Sequence, residues 1–63
     1  MHIITWTNKT DAWGHIYDEK DSKRWYQQSW MGMEFKEALF RLKSLQHLER
    51  KGVITNIKHV FED

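Results

Sequence analysis

Between Met33 and Lys51 the apolar residues recur at helical spacing, and nowhere else in this chain is the period so regular. Phe35, Ala38, Leu39, Leu42 and Leu45 fall three or four residues apart and make one stripe of an amphipathic helix. Gly32 suits its N-cap, and Glu34 and Glu37 suit the positive end of the helix dipole. Arg50 and Lys51 suit the negative end, and Gly52 stands where a left-handed residue closes a helix. Leu48 and Val53 are then placed as the hydrophobic pair that accompanies such a closure. The spacing predicts a single helix over about 33–51. One helix covers one face of one sheet, so everything else in the chain must fit that limit.

The chain has 63 residues, no cysteine and no proline. A chain of this size forms one domain, here residues 1–63, and buries only about 60% of its unfolded surface. With no disulfide or thiolate metal site to brace it, stability must come from an apolar core, from association, or from both. Residues 2–7 are β-branched and aromatic and read as a strand; Asn8-Lys9-Thr10-Asp11 reads as a turn. Ala12 to Tyr17 reads as a second strand, 18–23 as a polar loop, Arg24 to Trp30 as a third strand, and Val53 to Phe61 as the last. The expected fold is a small two-layer α+β domain of order β-β-β-α-β. Its sheet should be mainly antiparallel, with the crossover helix returning right-handed over one face.

Six of the nine aromatic residues lie in the first thirty positions: Trp6, Trp13, Tyr17, Trp25, Tyr26 and Trp30. Each ring can bury roughly 150–250 Å². Successive strand residues point to opposite faces, and large rings occupy both parities of the expected strands. Some of them should therefore lie where the helix cannot cover them. Trp13, His15, Tyr17 and Trp25 are the candidate partner-binding residues on this face. Rings that merely brace a small sheet through cross-strand pairs are the competing reading. Tyr and Trp are also the residue types enriched at interface hot spots, which favours a docking surface for another protein or for a second copy.

The net charge is +1, too balanced for a generic DNA-binding or membrane-surface protein. Residues 1–33 carry four basic and four acidic groups, whereas residues 34–59 carry six basic and three acidic. On the helix, Lys36, Lys43 and Arg50 repeat every seven residues on the side away from the stripe, with His47 and Lys51 beside them. Phe40 sits among them, so Lys36, Phe40, Lys43 and Arg50 join the candidate partner-binding set. A solvated helix flank with one stray apolar residue is the plainer reading of the same pattern. The alternative function is single-strand nucleic-acid binding by the sheet aromatics and this basic strip, since every base offers a π-face. The neutral first half and the acidic 18–21 loop weigh against it.

Other chemistry finds little support in the sequence. His2, His15, His47 and His59 show no metal-ligand spacing, and Asp18, Glu19 and Asp21 lack the pattern of a calcium loop. Ser22, Ser29 and Ser44 sit in no nucleophile context, and there is no glycine-rich phosphate loop. The least implausible enzyme is a small ribonuclease built on His15 with Tyr17, Lys23 and Arg24. The expectation is no enzyme, no cofactor, no metal and no small-molecule substrate. The N-terminus lacks a basic and apolar leader, and no window approaches a membrane span, so a cytoplasmic location without membrane partners is expected. Asn8-Lys9-Thr10 matches a glycosylation sequon and reads as a turn. In size and in lacking Cys and Pro, the chain resembles compact accessory proteins of bacteria and phages, which commonly bind a host protein. The leading expectation is a non-enzymatic protein-binding or self-associating module, a homodimer in its simplest form, docking through an aromatic sheet face.

Overall fold

Strand β1, His2–Asn8, takes the centre of a three-stranded sheet in the computed structural model, which describes residues 1–63. Strand β2, Tyr26–Met33, and strand β3, Ile54–Phe61, flank it, and both run antiparallel to it. The two outer strands are therefore parallel to each other, and helix α1, Phe35–Arg50, makes the crossover between them. The architecture is the expected two-layer α+β domain with one main helix on an antiparallel sheet.

The segment expected as a second strand is not one. Residues 12–17 form a tight turn, joined to the preceding chain by a single bridge between Thr10 and Ile16. Gly14 adopts a left-handed φ of 86°, which an extended strand cannot use, and the Asp11 carboxylate accepts from the amides of Trp13 and His15. That local bonding competes with a sheet ladder, and it wins. The polar loop is also more ordered than expected. Glu19–Arg24 forms two short 3₁₀ turns meeting at Asp21, capped by the Asp18 side chain on the amides of Lys20 and Asp21.

Both ends of α1 follow from residue chemistry, though the first differs from expectation. The N-cap is Glu34, not Gly32. Gly32 instead has a φ of 78° and is the extra residue of a bulge, because His2 pairs with Met33 while Ile3 pairs with Met31. At the far end the Gly52 amide donates to the Glu49 carbonyl at 2.9 Å, and the Val53 amide to Leu48 at 3.3 Å. With Gly52 at a φ of 81°, this is the Schellman closure that the Gly52 and Leu48/Val53 pattern predicts.

Ile4, Trp6, Met33, Ala38, Leu45 and Ile54 form the buried core, with Trp30, Leu42, Val53 and Ile57 packed against it. Ile54 and Ile57 both reach it although three positions separate them. Strict alternation would place them on opposite faces. Asn56 resolves this with a left-handed φ of 57°, in a bulge where the partner of β1 slips from Lys58 at Thr5 to Thr55 at Thr7. One extra residue thus returns Ile57, His59 and Phe61 to the helix side.

The registers settle which aromatics face the helix. His2, Ile4, Trp6 and Asn8 of β1 share their face with Met33, Trp30, Gln28 and Tyr26 of β2. Phe61 and His59 join them from β3. Every aromatic residue carried by a strand is on this one face. The opposite, bare face carries Ile3, Thr5 and Thr7, then Gln27, Ser29 and Met31, then Thr55, Lys58 and Val60. The expected surplus of rings on the face away from the helix is therefore overturned. Trp13, Tyr17 and Trp25 lie in the connection between β1 and β2 instead.

Candidate functional site

The backbone of helix α1 runs closest to β3 and β1 and stands farther from β2, which it meets through side chains. It reaches towards β2 with Arg41, whose guanidinium lies 4.2 Å from the centre of the Trp30 ring. Glu37 holds Arg41 in place through bonds of 3.0 and 3.1 Å from its Nη2 and Nε. The inner face of β2 is left partly uncovered, and a groove of about 350 Å³ opens between it and the C-terminal half of α1. Its apolar lining includes Trp6, Trp30, Leu45, Leu48 and Val53. This volume lies within the range of binding clefts, about 300–1,000 Å³.

Inside the groove the two indoles meet edge to face with ring centres 4.8 Å apart. Gln28 is the polar centre: its Oε1 accepts from Trp6 Nε1 and from Asn8 Nδ2, each at 3.1 Å. Asn8 in turn accepts from the amide and hydroxyl of Thr10, both at 2.7 Å. A bonded chain from Trp6 to the 9–17 turn therefore fixes one end wall of the groove. Trp6, Gln28 and Trp30 were absent from the candidate set drawn from sequence. Their shared parity was readable once β1 was paired with β2. The offset of α1 away from β2 was not.

Trp13 stands at the tip of the 9–17 turn with 83% of its surface exposed. The turn is firmly built. Asp11 Oδ1 accepts from the Trp13 amide at 2.8 Å and the His15 amide at 2.9 Å, and the Asp11 amide donates to the His15 carbonyl at 3.0 Å. The Lys9 amide anchors the turn to Val53 at 3.0 Å. Asp11 is held below the usual carboxylate range, first by the His15 amide and then by the Trp13 amide and the nearby His15 ring; partial removal from water opposes this. His15 Nδ1 lies 3.3 Å from Asp11 Oδ2, and the ring is otherwise in solvent.

The remaining candidates fall into two groups. Tyr17 and Trp25 are half-buried and hold the connection to itself: Trp25 Nε1 donates to the Tyr17 carbonyl at 3.0 Å. Lys9 lies over the Trp25 ring and Arg24 over the Tyr17 ring. Lys36, Phe40, Lys43 and Arg50 form a separate exposed strip on the side of α1 turned away from the sheet, with Phe40 72% exposed. The structure brings Trp13 and His15 together, and Tyr17 and Trp25 together, but does not gather all eight residues into one surface.

At the other end of the sheet His2 stacks on His59 with ring centres 5.1 Å apart and a nitrogen–nitrogen distance of 2.9 Å. Phe35 and Phe61 flank His2. Removal from water lowers the His2 pKa most, and repulsion from His59 and the N-terminal amino group adds to it. No three side chains of His, Asp or Glu converge as a metal site would need. Comparison with protein-family models, curated proteins and solved structures finds no match to this chain.

Proposed function

We infer that this chain is a non-enzymatic protein-binding module that acts by associating with a second copy of itself, using the side of the molecule where the groove opens. One observation carries the reading. Eleven large apolar side chains are exposed, against six buried apolar residues in the whole core. Single exposed apolar residues are ordinary on a monomer. Here they outnumber the core; Leu48 lines the apolar groove, and Tyr26 is exposed on the same sheet face as Gln28 and Trp30. A domain that keeps so little of its apolar surface inside gains most from covering the rest by association.

Nucleic-acid binding would need rings and cations on one continuous surface. The basic strip lies on the outer side of α1, away from the groove and its two tryptophans, which favours the protein-binding reading.

The test is the mass of the full chain by sedimentation equilibrium from low to several hundred micromolar. The reading predicts twice the chain mass at the upper end and a reversible fall on dilution. A strict monomer throughout overturns it, as does binding to single-stranded oligonucleotides that weakens steeply with salt.

A further inference from the structure

The sheet order leaves two free edges, the outer sides of β2 and β3. An unpaired edge is a template for another strand, and natural sheets protect such edges with lysine, proline or bulges. The β3 edge has two of these devices, Lys58 and the left-handed bulge at Asn56. From Tyr26 to Met31, β2 has none: no charge, no proline and no bulge.

We propose that β2 pairs antiparallel with β2 of a second copy about a two-fold axis, joining two three-stranded sheets into one of six strands. The proposal rests on the self-association reading above and gives it a geometry. A register centred on Gln28 sets Tyr26 opposite Trp30 of the partner subunit, and by symmetry the same pair forms twice. Tyr26 and Trp30 both lie on the helix side of the sheet; Tyr26 is exposed, and Trp30 is half-buried with the Arg41 guanidinium over its ring. On the bare face Gln27 meets Ser29 of the partner subunit. No like charges meet along β2, whereas the same pairing through β3 would carry a lysine into the seam from each copy. A two-fold pairing of edges also closes, leaving only the protected β3 edges outside.

A second copy is the occupant because the segment matches itself: paired about Gln28, it brings no like charges together. A stable dimer covers about 800 Å² on each partner, roughly a sixth of this molecule's 4956 Å². From Tyr26 to Met31 the strand itself carries no charged side chain, so two copies can pair along it without setting like charges of β2 against each other.

The experiment introduces charge on the bare-face side of β2. Gln27 and Ser29 are exposed, so Gln27→Lys/Ser29→Lys leaves the core untouched. In the paired dimer it sets lysines opposite one another twice, and the dissociation constant should rise roughly tenfold or more. A matching Gln27→Glu/Ser29→Glu chain, mixed with the lysine chain, should restore a mixed dimer, which shows that both variants fold. Val60→Lys, on the bare face but on β3, should leave the mass unchanged. A dimer indifferent to the β2 lysines, or broken equally by Val60→Lys, overturns edge pairing while leaving self-association standing. A monomer at every concentration overturns both.

Discussion

Trp6 and Gln28 are directly opposed across the β1–β2 ladder, and the indole N–H of one donates to the amide oxygen of the other at 3.1 Å. Trp6 is 6% exposed, so this bond is what lets a polar indole nitrogen sit in the core. Gln28→Leu keeps the volume and leaves both the Trp6 nitrogen and the Asn8 amide without their acceptor. The expected cost is about 1–2 kcal/mol. For a domain of this size that lowers the melting temperature by roughly 4–8 °C for each kcal/mol, measured by thermal unfolding followed by circular dichroism.

Asp11→Ala should loosen the turn that presents Trp13 without disturbing the sheet, because its carboxylate serves only local amides and the His15 ring. Acid should do the same. A carboxyl held low when folded contributes its stability above its unfolded pKa and loses it as pH falls through the folded value. The Trp13 and His15 amide resonances should therefore stay fixed at neutral pH and move only well into the acid range. In Asp11→Ala they should be mobile throughout.

His2 gives the opposite pH dependence to an ordinary paired histidine. Its folded pKa lies below 6.5, so the unfolded chain takes up the proton first. Stability is then full above about pH 6.5 and falls as pH drops towards the folded value. Denaturant midpoints between pH 8 and pH 5 should decline on acidification, and His2→Phe should flatten that decline.

Gly52→Ala tests the helix closure. A Cβ at Gly52 would meet no atom within 4 Å, so its cost is that of the left-handed backbone alone, about 1 kcal/mol. Urea unfolding should show a lower midpoint with an unchanged slope.

The helix was legible because its stripe, its terminal charges and Gly52 all point to the same boundaries. The central strand was legible for a similar reason, a β-branched and aromatic run ending at Asn8. Residues 12–17 misled because Trp13, Ile16 and Tyr17 have strand propensity, while the decisive features are a glycine and an aspartate that bonds its own turn. The faces of the aromatics depended on pairing. Once β1 meets both neighbours, the Gly32 and Asn56 bulges shift parity where strict alternation fails. The groove has no sequence signal of its own, because it arises from where α1 rests across the strands.

The most direct measurement is amide hydrogen exchange along β2, followed by NMR above and below the concentration at which the mass doubles. In an antiparallel ladder alternate amides point to opposite edges, so β1 protects only part of β2 in the monomer. Edge pairing predicts that the outward amides from Tyr26 to Met31 become protected in the dimer and lose protection on dilution, while the β3 edge exchanges alike in both. Outward β2 amides that exchange freely in a protein of dimeric mass would contradict the account.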